Sequence, residues 1–193
     1  MSDPDLVLIT GREVTLGIGV TLAEVRRHAP RGARAELSAL VRELARRRTV
    51  TVAPFWIERV PKLRGKDYGS SFAAIEAGVA QQGYRLPTPD EWELAYGAGA
   101  RTLFPWGNQW YRPPGWQHPH GIASLAQHTD SECTSVYRVF VGGDSGCLSC
   151  GGSRFAAITS ASSYVADRRA EWDDVYDEHI WYGGSAVRRV RSA

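Results

Sequence analysis

Two cysteines, Cys147 and Cys150, have the residue type and spacing best suited to chemistry in this sequence. Two thiolates three residues apart can bind one soft metal ion such as Cu(I), or can close as a disulfide. They can equally be cysteines with no chemical role, and the sequence leaves all three interpretations open. In the first, the pair supplies both the metal ligands and the catalytic groups of an oxidase.

A second group of possible metal ligands consists of histidines. In an extended segment His118 and His120 would point the same way, and His128 or Glu132 would then complete a zinc or iron site. The spacing of these residues matches no known metal site, so this remains a weaker hypothesis than the cysteine pair.

Aromatic side chains mark two candidate ligand-binding loops, residues 109–120 and 171–182. Trp and Tyr offer large contact areas at low entropic cost, and carboxylates give a ligand its orientation. The alternative is that the first loop packs on the body of the protein and the second is a solvated loop paired with nearby arginines. The candidate ligand-binding residues are Trp110, Tyr111, Trp116, Trp172, Asp173, Asp174, Tyr176, Trp181 and Tyr182.

A well-specified helix start at Thr88 would position these loops. Thr88 is predicted to cap the helix, Pro89 to occupy the first turn, and Glu91 to complete a capping box. The helix is then expected to bury one face, formed by Trp92, Ala95 and Tyr96. Gly97 and Gly99 are expected to end it.

The string at residues 85–93, Arg-Leu-Pro-Thr-Pro-Asp-Glu-Trp-Glu, is followed by Phe-Pro-Trp-Gly-Asn at residues 104–108. Together they resemble the signature of the formylglycine-generating enzymes, also called sulfatase-modifying factors. The resemblance implies a variant of the C-type lectin fold: one irregular, loop-rich α+β domain covering residues 1–193. A shared fold does not fix a shared function.

The resemblance also bears on the cofactors. In active family members a cysteine pair after a Gly-Gly-Ser turn binds copper and activates oxygen, and Cys147 and Cys150 fall in the matching loop. The family's cysteines lie further apart, and its turn serine is Asp144 here. Of the family's calcium-site segment only Glu132 is retained, as a remnant ligand. Copper is therefore the first candidate cofactor and calcium the second.

Several further elements are predicted from local patterns. Strands 6–9 and 14–18 read as a hairpin, residues 21–48 as a basic helical insertion, and residues 50–57 as the next strand. Ser70 and Ser71 are predicted to cap a helix that runs from Phe72 to Gly83, and residues 187–190 resemble the family's closing strand.

The bulk properties narrow the class of protein. The net charge of +2 in 193 residues does not favour a nucleic-acid partner, and no run approaches the ~18 apolar residues of a membrane span. Three cysteines argue against a disulfide scaffold. The N-terminus shows no signal-peptide pattern, so we expect the cytoplasm, with a phage-associated or assembly-associated protein, or a homo-oligomer, left open.

The interpretation favoured by the sequence is a binding module that presents its loops on a lectin-like frame to a protein, glycan or small-molecule ligand. Several groups needed by the catalytic relatives have changed together, whereas the residues that form the scaffold persist. The alternative is a Cu(I)- and oxygen-dependent oxidase that uses Cys147 and Cys150 on a thiol or small-molecule substrate.

Overall fold

The computed structural model describes residues 5–28, 31, 47–60, 63–68, 72–102, 104–109, 113–122, 132–133, 139–141, 163–165 and 186–193. This part of the chain forms a small α+β fold with mostly antiparallel sheets, which confirms the coarse fold class predicted from the sequence. None of its helices is long and apolar enough to cross a membrane.

The described elements are short and follow one another closely. The strands are β1 (Leu6–Ile9), β2 (Arg12–Leu16), β3 (Arg48–Val52), β4 (Phe55–Glu58), β5 (Leu63–Arg64), β6 (Glu132–Cys133), β7 (Val139–Val141), β8 (Ser163–Val165), β9 (Ala186–Val187) and β10 (Val190–Ser192). The helices are α1 (Leu22–His28), α2 (Phe72–Gln81) and α3 (Pro89–Gly97), with a 3-10 helix at Gly65–Tyr68.

Three sheets are built from these strands. The first has the order β1-β4-β10, the second consists of β2 and β3, and the third has the order β5-β9-β6-β7-β8, in which β6 and β9 run parallel. Because β1 and β10 lie on either side of β4, the first and last described strands meet in one sheet.

The predicted hairpin between strands 6–9 and 14–18 is wrong, because β1 and β2 each pair with a distant strand. Ile9 lies opposite Phe55 and Arg12 lies opposite Val52. Two residues lie between these pairs on each side, so the register continues through a bend. A Cβ on Gly11 would lie closer than 3.0 Å to backbone atoms of Ala53 and Pro54. Because Gly11 has no side chain, the two backbone segments can lie this close together at the bend. Pro54 interrupts the predicted strand 50–57 because it has no N–H to donate.

Helix α1 confirms the start of the predicted basic insertion. The Glu24 backbone N–H donates to Thr21 Oγ1 (3.2 Å), and the Thr21 N–H donates to Glu24 Oε2 (2.8 Å). The predicted end of the insertion is wrong, because Arg48 already belongs to β3. Residues 29–30 and 32–46 lie outside the described part of the chain.

Two further predicted elements are partly confirmed. In α2, Ile75 and Val79 are fully buried, and Gly83 takes a positive φ of 77° after the helix, whereas Ser70 and Ser71 lie outside the described residues. The predicted closing strand is divided between two sheets, because residues 188–189 cross from β9 to β10.

Helix α3 is the centre of the fold, and its start is as predicted. Thr88 is the N-cap, Pro89 lies in the first turn, and both hydrogen bonds of the capping box with Glu91 are present. The expectation of one buried face is wrong, because every residue from Glu91 to Gly97 is buried. The left-handed C-cap is Ala98, with φ 51°, rather than a glycine.

The two carboxylates buried on α3 are compensated by arginines from other elements. Arg85 donates to both oxygens of Glu91 (2.7 and 2.6 Å), and Arg48 donates to Glu93 (2.7 Å). The Gly17 N–H also donates to Glu93 (2.5 Å). Burial raises the pKa of the Glu93 carboxyl, and these two donors oppose the rise. Charge pairing therefore lets a helix with three acidic residues lie in the interior.

The hydrophobic core lies between α3 and the bent ribbon of β1 to β4. Its buried members come from both sheets of the ribbon, from α3, from the last strand and, at one position, from the segment after the histidines. They are Ile9, Leu16, Val52, Phe55, Ile57, Leu94, Ala95, Ile122 and Val190.

Candidate functional site

The last four carbonyl groups of α3 have no partner within the helix and must find donors elsewhere. Leu94 O accepts the N–H of Ala98 (3.1 Å), and Gly97 O accepts the N–H of Ala100 (2.8 Å). The two carbonyls between them are bound by imidazole rings instead: Ala95 O lies 2.9 Å from His120 Nδ1, and Tyr96 O lies 2.6 Å from His118 Nε2. The histidine loop therefore completes the C-terminal cap of α3.

These contacts fix the protonation of both rings, because a carbonyl oxygen can only accept. His118 must carry its proton on Nε2, and its Nδ1 accepts the His120 backbone N–H (3.1 Å). His120 carries a proton on Nδ1, so in its neutral form the lone pair is on Nε2. His118 is thus a neutral ring with both nitrogens engaged, held rigidly against the helix.

The electrostatic setting of His118 favours the neutral form. Burial lowers the pKa of the His118 imidazole, and the positive charges of His120 and Arg188 act in the same direction. The hydrogen bond to the Tyr96 carbonyl opposes this effect. Protonation of Nδ1 would also place a proton against the donating N–H of His120, so acid must disrupt the loop.

A continuous series of ring contacts joins this loop to the core. Trp92 stacks on Tyr96 (centroids 4.7 Å apart), Tyr96 on His118 (5.7 Å), and His118 meets the edge of Trp116 (5.8 Å). The series continues from Trp116 to Trp106 (5.6 Å) and back to the buried Phe104 (4.9 Å). We call the seven residues Trp92, Tyr96, Phe104, Trp106, Trp116, His118 and His120 the aromatic–histidine cluster.

The two ends of the cluster are buried in the core, and the side chains between them are partly exposed to solvent. Trp92, Tyr96 and Phe104 are fully buried, whereas Trp106, Trp116 and the two histidines are only half-buried. The Trp106 side is fixed by a tight turn: Phe104 and Gly107 exchange two backbone hydrogen bonds of 3.0 Å, and the Trp106 indole N–H donates to Gln109 O (3.0 Å). The accessible edge is therefore a rigid aromatic surface.

Of the predicted ligand-binding residues, Trp116 belongs to this cluster. The other eight lie outside the described residues, so their role stays a prediction; they are Trp110, Tyr111, Trp172, Asp173, Asp174, Tyr176, Trp181 and Tyr182. The predicted alternative that the first loop packs on the body also applies in part, because Trp116 rests on Trp106 and His118.

The structure bears on the predicted histidine metal site but not on the predicted cysteine site. Within the described part of the chain, no group of three or more His, Cys, Asp or Glu residues could hold a metal ion. His118 has no lone pair left for a metal, because its two nitrogens bind Tyr96 and His120. Glu132 lies in β6 opposite Val141 and Ala186. Cys147 and Cys150 lie outside the described residues, so copper-dependent oxidation also stays a prediction.

Sequence reasoning missed three members of the accessible edge as a group: Trp106, His118 and His120. The sequence predicts the two histidines as metal ligands, whereas in the structure they donate to helix carbonyls. The need for these donors arises because α3 ends at Ala98 without a glycine cap, and this ending is visible only in the structure.

Comparisons with known proteins add no family assignment. No protein-family model matches the chain, and no curated protein matches it.

Acid should loosen this site through His118. Because its pKa is lowered in the folded chain, the unfolded chain binds the proton more tightly, and stability should fall as pH drops below about 6.5. We expect His118→Gln to show a smaller loss of melting temperature between about pH 8 and about pH 5 than the parent chain. The control is His28→Gln, at an exposed position in α1. An unchanged pH dependence in His118→Gln would refute the assignment.

Proposed function

We propose that this chain is a ligand-binding module of lectin-like architecture, and that the aromatic–histidine cluster is part of its binding face. The observation that carries the proposal is the series of ring contacts that links buried Trp92 to half-exposed Trp106 and Trp116. Aromatic side chains that are already held in place lose little entropy when they bind, and this makes them effective anchors.

The frame supports the same proposal. The capped start of α3 and the turn around Trp106 are the two motifs that resemble the formylglycine-generating-enzyme family, and both hold the cluster. The first and last described strands meet on β4, an arrangement compatible with a C-type lectin fold. In this proposal the frame is retained and the loops determine which ligand is bound.

The chemistry of the cluster indicates the kind of ligand. Two indole faces favour a flat or ring-shaped partner with apolar C–H groups, such as a sugar ring or the side chain of a proline or aromatic residue. His120 Nε2 can accept a hydrogen bond when the ring is neutral, because Nδ1 already donates to Ala95 O. The expected ligand therefore combines an apolar face with a hydroxyl or N–H donor, as a glycan does.

Glycan and peptide arrays test the proposal. We expect Trp116→Ala and Trp106→Ala each to weaken the strongest array interaction by about 30-fold, the effect of losing a central anchor. The matched control is Trp56→Ala, a half-buried tryptophan on β4 outside the cluster, under the guanidinium of Arg191. If all three variants bind as the parent chain does, the cluster is not the binding face.

A further inference from the structure

Arg101 is in an unusual position just after α3. Its carbonyl accepts the N–H of Gly19 (2.6 Å), which fixes the backbone, while its side chain folds back beside the same glycine. Two atoms of its guanidinium, Nε and Nη2, are shielded from solvent and have no hydrogen-bond acceptor among the residues that the structure describes. Buried N–H donors without an acceptor are unfavourable, and an oxyanion would satisfy both donors of this edge at once.

Two other arginines show what this edge of a guanidinium binds. In Arg48, Nε (2.8 Å) and Nη2 (2.6 Å) both donate to Asp90 Oδ1. In Arg189, Nε (3.0 Å) and Nη2 (2.5 Å) both donate to Glu58 Oε1. The Nε and Nη2 atoms lie side by side and match the spacing of a carboxylate or phosphate. The corresponding edge of Arg101 has the same pair of donors, and no described residue supplies an acceptor to it.

The surroundings of Arg101 favour an anion. Arg12 reaches across to Gly99, two residues before Arg101, so that a Cβ on Gly99 would collide with Arg12 Nη2. A Cβ on Gly19 would likewise lie 3.0 Å from Arg101 Nη2. The negative end of the α3 dipole is enough to attract the exposed Arg12, but it does not supply an acceptor for the shielded edge of Arg101.

We propose that the Nε–Nη2 edge of Arg101, supported by the charge of Arg12, is an oxyanion-binding site for a carboxylate or phosphate group. The site shares no residue with the aromatic–histidine cluster, so this proposal can be tested and refuted separately from the proposed function. Gly19 is exposed between β2 and α1, and its lack of a side chain lets the Arg101 guanidinium pack directly beside its backbone. A side chain at this position would narrow the site.

The test is a titration with inorganic phosphate and, separately, with succinate, at constant ionic strength set by sodium chloride. The readouts are the NMR signal of the Arg101 Nε–H and the melting temperature, which a bound anion raises by mass action. We expect saturable binding of at least one probe, weakened about tenfold or more in Arg101→Leu. Whichever probe binds identifies phosphate or carboxylate as the class of ligand.

Two further variants make the result decisive. Gly19→Ala should weaken binding without removing a charge, and Arg26→Leu, at an exposed position on α1, should bind as the parent chain does. In anion-free buffer Arg101→Leu should melt no lower than the parent chain, because two buried N–H donors without an acceptor have been removed. Absence of saturable binding in the parent chain, or equal binding in Arg101→Leu and the parent chain, would overturn the proposal.

Discussion

Replacing Glu58 with alanine is expected to lower the free energy of unfolding by about 3–5 kcal/mol, because it leaves a largely buried arginine without its counter-charge. Glu58 is 1% exposed at the end of β4. Its Oε2 accepts the backbone N–H of Arg189 (2.9 Å), and its Oε1 accepts Nε (3.0 Å) and Nη2 (2.5 Å) of the same residue. All three donors would lose their acceptor together.

The loss should be transmitted beyond this pair. Arg189 also lies over the ring of Tyr84, 4.6 Å from its centroid, and donates to Gln82 in the turn after α2. Urea unfolding of Glu58→Ala, Arg189→Met and the double variant provides the measurement. We expect the double variant to lose clearly less than the sum of the two single losses. Strict additivity, or a loss below about 1 kcal/mol in Glu58→Ala, would contradict this role.

The second large effect is expected at Trp92, which begins the series of ring contacts. Trp92 is 1% exposed and stacks on Tyr96 within α3. Replacing it with alanine removes the largest fully buried side chain of the described residues and leaves a cavity beneath the site, at an expected cost of about 3–5 kcal/mol. The cost should appear in chemical unfolding as a lower midpoint with an unchanged slope.

Trp92→Phe and Trp56→Ala are the matched controls for this prediction. The phenylalanine keeps a ring to stack on Tyr96 and should recover much of the loss. Trp56 is only half-buried on β4, so its replacement should cost clearly less than that of Trp92. Equal losses in Trp92→Ala and Trp56→Ala would show that Trp92 has no special place in the core.

The features predicted correctly from the sequence are those encoded by neighbouring residues. Both capping boxes, Thr21 with Glu24 and Thr88 with Glu91, join residues three positions apart, so their chemistry can be read directly. The buried positions Ile75 and Val79 of α2 follow from helical spacing in the same way. Local signals of this kind need no knowledge of the tertiary fold.

The features predicted wrongly depend on distant partners. The hairpin of β1 and β2 failed because each strand finds its partner more than thirty residues away, as in the pair Leu16 and Arg48. The full burial of α3 could not be predicted either, since Glu91 and Glu93 look like solvent-facing residues until Arg85 and Arg48 are placed beside them. Charge pairing across the fold has no local signature.

The same contrast between local signals and distant partners explains which residues of the candidate site were predicted. Trp116 was selected as an aromatic residue in a proline-rich loop, and this depends on composition alone. The caps that His118 and His120 provide depend on how α3 ends and on where a loop 22 to 25 residues later returns, so only the three-dimensional arrangement reveals them.

Fluorine NMR of the chain labelled with fluorotryptophan, titrated with the strongest array ligand, tests the central proposal most directly. Each signal is assigned by replacing one tryptophan with phenylalanine. We predict that saturation shifts the Trp106 and Trp116 signals, whereas the signal of Trp56, outside the cluster, stays in place. If the ligand saturates the chain and both the Trp106 and Trp116 signals remain unmoved, the aromatic–histidine cluster is not where this protein binds.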